Sequence, residues 1–224
     1  KAISLKKVDC YLVSFLYHLR SLYELLEIVK MPTLYFVRHA ESEANAKQEY
    51  AGHMAIPLTA KGKGEAEHTS HNFYKNHSIT KIFCSPLLRT KQTADFFANK
   101  FNLPVIISDL LQEQDMGDYT GLAYAVCEKL PYFEHDVSKR WHWSPPNGET
   151  YSQVAARTCA FLSHMENISA EEKVLVVTHG VFLRLMRGAL ENTLPTYYTG
   201  LTKNCEILKT KFVQLNQKNL IESI

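Results

Sequence analysis

Short apolar runs alternate along this chain with longer segments whose apolar positions recur every three or four residues. Thr33–Val37 (TLYFV), Lys81–Cys84 (KIFC), Val105–Ile107 (VII) and Val174–Val177 (VLVV) read as buried strands, because β-branched and aromatic side chains suit a pleated, covered surface. Cys205–Val213 reads as an edge strand. Thr59 is placed to cap a polar-faced helix reaching about Tyr74, despite Gly62 and Gly64 within it. Ser85-Pro86 opens a helix to about Phe101, Thr150–Glu166 is helical, and Val181–Leu190 forms a last helix. Strands alternating with helices predict an α/β fold: a three-layer α/β/α sandwich with a mostly parallel central sheet and helices on both faces.

Residues 1–30 carry a different pattern. Leu5, Val8, Leu12, Phe15, Leu19, Leu22, Leu26 and Val29 alternate spacings of three and four, the stripe of an amphipathic helix with a heptad period. The expected organisation is therefore an N-terminal helical extension, 1–30, and a domain, 31–224. The stripe suits a helix packed on the domain, a dimerising helix that would make a homodimer, or an extension upstream of a native start at Met31.

Composition narrows the possible partners. At 46% apolar and 21% charged residues, the chain can bury an ordinary core and is too hydrophobic for disorder. A formal net charge of +2 makes no case for nucleic acid or a membrane surface as partner. No apolar run is long enough to span a bilayer. Lys6 and Lys7 precede an apolar run in the manner of a signal peptide, but Asp9, His18 and Arg20 interrupt it and no small-residue cleavage site follows. The five cysteines are scattered and form no C-x-x-C pair, which argues against a disulfide framework or structural zinc and for a reducing cytoplasm.

The candidate chemistry lies where strands end. Arg38-His39 follows the first strand directly, Arg89 falls in the first turns of the helix after the second, and His179-Gly180 follows the fourth. Ligands of open parallel sheets bind beyond the carboxyl ends of the strands. Three separated segments thus deliver two arginines and two histidines to one edge, where helix N-termini add N–H donors. Guanidinium forks match phosphoryl oxygens, and a neutral imidazole can attack phosphorus. Singly, each of these residues reads equally well as structural; the case rests on their joint placement.

The motifs around these residues resemble the histidine phosphatase superfamily, the phosphoglycerate mutase-like group. Arg38–Asn45 (RHAESEAN) resembles its Arg-His signature ending in Asn, and Ser85–Ala94 (SPLLRTKQTA) its Ser-Pro-x-x-Arg-x-x-x-Thr-Ala element. Leu111–Gly121 (LQEQDMGDYTG) is similar to the acid loop, Gly148-Glu149-Thr150 to the late Gly-Glu-Ser/Thr turn, and Val177–Gly180 (VTHG) to the second histidine motif. The resemblance implies His39 as the nucleophile that becomes phosphorylated. It implies Arg38, Arg89 and His179 as ligands of the phosphoryl oxygens, with Asn45 and Gly180 as further substrate contacts. Glu113 is implied as general acid and then base, ahead of its neighbours Asp115 and Asp118. An alkoxide needs a proton as it leaves, which calls for a carboxylic acid of raised pKa. His39 must present one unprotonated nitrogen, so the other should donate to a fixed acceptor such as a backbone carbonyl.

Two departures stand out: Ala40 where the family often has Gly, and Tyr119-Thr120-Gly121 where it often has Trp-Glu-Gly. Relative to mutases of the family, the chain is short, and the segment after Gly121 is aromatic rather than basic. Val181-Phe182 also follows His179-Gly180, where mutases carry Asn-Ser. These features imply a hydrolase of a small phosphate ester, with no cofactor and no metal, over a cofactor-dependent mutase or a non-catalytic phosphate-binding scaffold. The aromatic segment is expected to form the substrate rim, through Tyr119, Tyr124, Tyr132, Phe133, Trp141 and Trp143, with about half of these in core packing. The His68 and His71 pair at helical spacing is the only hint of a metal-dependent alternative and lacks an acidic partner cluster.

Overall fold

The computed structural model describes residues 32–211 and 220–223. The expected N-terminal helix lies outside the described residues. Six strands form one sheet: β1 (Thr33–Arg38), β2 (Lys81–Cys84), β3 (Val105–Ile107), β4 (Lys173–Thr178), β5 (Ile207–Lys211) and β6 (Leu220–Ser223), in the order β3-β2-β4-β1-β5-β6. The first four are mutually parallel, and β5 and β6 add an antiparallel flank. The helices are α1 (Glu43–Lys47), α2 (Ala60–Asn76), α3 (Leu88–Phe101), α4 (Tyr124–Cys127), α5 (Tyr151–Met165) and α6 (Gly180–Leu190).

The central strands β1, β2 and β4 are largely apolar because both of their faces are covered. Leu34, Phe36, Phe83, Val174, Val176 and Leu208 face α5 and α6, meeting Phe161, Met165, Phe182, Leu183 and Met186. The alternate residues Tyr35, Val37, Ile82, Cys84, Leu175 and Val177 face α2 and α3, meeting Phe73, Ala94 and Phe97. The two-residue period of the strands thus becomes two separate cores, and the three-layer α/β/α arrangement is as expected.

Local signals explain the helix starts. The Thr59 hydroxyl accepts from Gly62 N at 2.9 Å, and Thr150 forms a capping box with Gln153 before α5. Gly62 has a packing reason: a Cβ there would sit 2.0 Å from the Glu41 carbonyl oxygen, whereas a Cβ at Gly64 would meet open space. The expected edge strand differs. β5 begins only at Ile207, because Asn204-Cys205 forms a turn with Cys205 at φ 58°. It is interior, since β6 pairs outside it. The helix expected from Ser85-Pro86 starts at Leu88, with Leu87 as its N-cap.

Sheet register sets the site. Arg38 of β1 stands opposite Thr178 of β4, and Cys84 of β2 opposite Val177. The ladder continues one residue past each end: His39 N donates to Thr178 O at 3.0 Å and Ser85 N to Val177 O at 3.1 Å. His39, His179 and Ser85 therefore leave three adjoining strands at one level.

Candidate active site

Arg38, His39, Arg89 and His179 are all buried, with Arg89 only 2% exposed. The His39 and His179 rings lie 5.2 Å apart between centroids at 61°. Arg89, in the first turn of α3, donates from Nε to His39 Nε2 at 3.3 Å. Its Nη2 donates to Gly52 O at 3.0 Å and its Nη1 to Met54 O at 3.4 Å. Arg38 donates from Nη1 to Thr202 O at 2.7 Å, while its Nε is buried and unpartnered. The four groups predicted to converge are thus in one place.

The tautomer of His39 follows from its partners. Nδ1 lies 2.8 Å from the Ala40 carbonyl, which can only accept, so Nδ1 carries the proton and Nε2 keeps its lone pair. Burial, then the charges of Arg89 and Arg38, hold the His39 pKa well below the ordinary 6.5. His179 is held well below it too, by burial and then by Arg89 and His39. The His179 Nε2 is 2.8 Å from Ser85 Oγ, and its Nδ1 is buried with no partner. Burial lowers the Arg89 pKa to about 10 and pulls Arg38 down as well, against the opposing charge of Glu113. Buried cations without a direct carboxylate partner are costly. A pocket holding two of them, with a free Arg38 Nε and a free His179 Nδ1, is built for an anion.

Glu113 is the carboxylate of this pocket. Its Oε2 accepts from Gly180 N and its Oε1 from Val181 N, each at 3.1 Å, so it caps the N-terminus of α6. Gly180, one of the expected substrate contacts, donates its N–H to Glu113. Asp115 accepts instead from Gly117 N, and Asp118 from the Asn147 amide, which leaves Glu113 as the acid turned toward the arginines. Asn45 serves α1 first: its Oδ1 accepts from Ser42 N at 3.1 Å and Ser42 Oγ at 2.9 Å. Its amide faces the hydroxyl of Tyr124. Ala40 has a negative φ and packs its methyl against Leu58 and Ala66, so the departure from Gly is accommodated.

The aromatic segment divides. Tyr119 is 3% exposed and packs with Phe133, Trp143, Met116 and Cys127, and Trp141 stacks on Tyr197. Tyr132 is 81% exposed. Tyr124 is the rim aromatic electrostatically coupled to Arg38, Glu113 and Arg89, and it packs edge-on to Tyr50 at 4.5 Å.

Sequence reasoning missed Asn204, Thr202, Ser85 as a histidine partner, and Arg157. Asn204 Nδ2 donates to His39 O at 2.7 Å. Arg157, on α5, donates to the backbone of the segment carrying Glu113 and pairs with Glu149 at 2.9 Å. The position of Arg157 eight residues after Glu149 was the one signal available, and it needed the fold to be read.

Comparison with known proteins adds the decisive observation. Residues 34–217 match the histidine phosphatase superfamily, branch 1. The chain belongs to that superfamily. The phosphatase is 35% identical over 166 residues to phosphoserine phosphatase 1 of Hydrogenobacter thermophilus, covering 71% of this chain and 76% of that protein. It is 27% identical over 201 residues to sedoheptulose 1,7-bisphosphatase of Saccharomyces cerevisiae, covering 80% of this chain and 72% of that one. A 2,3-bisphosphoglycerate-dependent phosphoglycerate mutase of Rhizobium etli is 33% identical over 172 residues, covering 72% and 81%. Among solved structures, a mycobacterial glucosyl-3-phosphoglycerate phosphatase complexed with VO3 shares the fold, with a TM-score of 0.76, 21% identity, and coverage of 86% and 98%. Family and phosphatase relatives together make the protein a hydrolytic histidine phosphatase. No helix among the described residues is long and apolar enough to cross a membrane.

Proposed function

We propose that this phosphatase hydrolyses small phosphate monoesters in two steps through His39. In the first, His39 Nε2 attacks phosphorus, the P–O ester bond breaks, and a proton held by Glu113 goes to the leaving oxygen. In the second, water attacks the phosphohistidine, Glu113 takes its proton, the P–N bond breaks and phosphate departs. Arg38 and Arg89 balance charge on the equatorial oxygens, which is most of what phosphoryl transfer asks of a protein. His179, with Ser85 donating to Nε2, turns its Nδ1–H to the same oxygens.

The observation that carries this reading is the fixed tautomer of His39, with Nδ1 spent on Ala40 O and Nε2 beside the Arg89 guanidinium. Tyr124 and Asn45 border the pocket and supply the leaving-group contacts. The four described cysteines are free thiols, which supports a cytoplasmic setting.

Quenching with alkaline detergent during turnover of 32P-labelled phenyl phosphate tests the first step. The expected product is a phosphoenzyme stable to alkali and labile to acid, absent from His39→Ala. Turnover by His39→Ala at the wild-type rate would end the proposal.

A further inference from the structure

Arg157 divides its donors between the Glu149 carboxylate and one short backbone segment. Nε donates to Glu149 Oε1 at 3.3 Å, and Nη2 to Glu149 Oε2 and to Glu113 O, both at 2.9 Å. Nη1 donates to Leu110 O at 3.4 Å and to Gln112 O. The remaining carbonyl of that stretch, Leu111 O, accepts from Thr178 Oγ1 of β4 at 2.8 Å, and Glu113 O also meets His53 Nε2 at 2.8 Å. Four consecutive carbonyls, residues 110 to 113, are thus held by side chains from other elements. Glu149 completes the clamp: its Oε2 accepts from Asp115 N at 2.9 Å, its N donates to Asp115 O at 2.9 Å, and its carbonyl accepts from Gln114 Nε2 at 2.7 Å.

Backbone carbonyls at a surface can be satisfied by water, so pairing alone does not require a guanidinium. Arg157 and Glu149 are only 15% and 25% exposed, and withdrawing such a pair from water carries a cost. The return is geometric. A planar fork with five donors fixes several acceptors at once, which the point charge of a lysine cannot do. The segment so fixed carries Glu113, whose carboxylate must stay on the α6 amides at the pocket.

We propose that Arg157, seated by Glu149, is a positioning residue for the proton-transfer step: it holds the backbone of residues 110–113 so that the Glu113 carboxyl meets the leaving oxygen. The inference rests on Glu113 being the acid. The donors of Arg157 go to Glu149 and to the carbonyls of residues 110, 112 and 113, so it acts through that backbone.

The test compares phenyl phosphate with p-nitrophenyl phosphate, two esters of similar size whose leaving groups differ in their need for a proton. Arg157→Lys keeps the charge and removes the fork; it is expected to lower kcat on phenyl phosphate about 10- to 100-fold and on p-nitrophenyl phosphate by no more than about 3-fold, with KM little changed on either. Glu149→Gln is expected to show the same selectivity, and serves where Arg157→Lys does not fold. Glu113→Gln should be steeper still, and adding Arg157→Lys to it should cost nothing more on phenyl phosphate. Equal losses on both esters in Arg157→Lys, beside a selective Glu113→Gln, would reduce Arg157 to a fold-stabilising residue. Equal losses in Glu113→Gln itself would remove the acid assignment and the positioning role with it.

Discussion

Arg38, His39, Ser85 and His179 stand at the ends of three adjoining parallel strands, and Arg89 reaches them from the first turn of α3. The segment from Tyr119 to Trp143, by contrast, crosses the surface as short turns around a small aromatic cluster of Tyr119, Phe133 and Trp143. The floor is polar, buried and crowded with positive charge, and is supported by the two large cores beneath it. The flank packs its aromatic rings together under Arg140, and backbone bonds such as Gly121 N to Tyr50 O tie it to its surroundings. The proposed chemistry is therefore placed on strand ends tied into the sheet, and the rim on irregular connecting backbone.

That contrast can be broken at the floor first. His39→Ala should lower turnover by about 10⁴-fold or more, read as loss of both phosphate release and the phosphoenzyme. Arg89→Met should cost about 10²- to 10³-fold in kcat/KM, yet leave stability in urea within about 1 kcal/mol of wild type, since relief of a buried cation with no carboxylate partner offsets the hydrogen bonds lost to Gly52 O and Met54 O. A loss of several kcal/mol would instead make Arg89 a structural residue and erase the distinction drawn here.

A pH titration sharpens the comparison further. His39 and His179 are held neutral in the fold, well below 6.5, while in the unfolded chain they titrate near that value. The unfolded state then binds more protons below about pH 6.5, so stability is full above that value and declines as pH falls, by up to about 1.4 kcal/mol per pH unit for each histidine. Urea midpoints between pH 8 and pH 5 would measure it, and an Asn at either position should flatten the slope. At the flank, Trp143→Ala should cost about 1–3 kcal/mol while changing phosphoenzyme formation from p-nitrophenyl phosphate by less than about 10-fold. Tyr132→Ala, at the most exposed ring, should stay within about 0.5 kcal/mol in stability.

The floor was legible in the sequence because its residues sit immediately after apolar runs, and strand ends are where open parallel sheets present side chains. The clamp on Glu113 was not. Arg157 lies mid-helix among small residues that carry no motif, and its partners are mostly carbonyl groups, which every residue carries and no sequence distinguishes. The pairing of Gly180 N with Glu113 was hidden for a related reason: a helix N-terminus advertises free donors, and only the fold reveals that Glu113 meets them. The interior place of β5 could not be read because the strand outside it, Leu220–Ser223, is too short to stand out as a run. Among the aromatics, periodicity gave no means to tell Tyr119, which is buried, from Tyr124, which faces the arginines.

The amide of His39 is bonded to Thr178 and that of Ser85 to Val177, as continuations of the central ladder. Residues tied into the middle of a sheet exchange their amide hydrogens only when the whole domain opens. The proposed nucleophile and its neighbours should accordingly belong to the most protected cooperative unit, so that denaturant abolishes turnover at the same midpoint as it abolishes far-ultraviolet ellipticity, with no inactive yet folded species between.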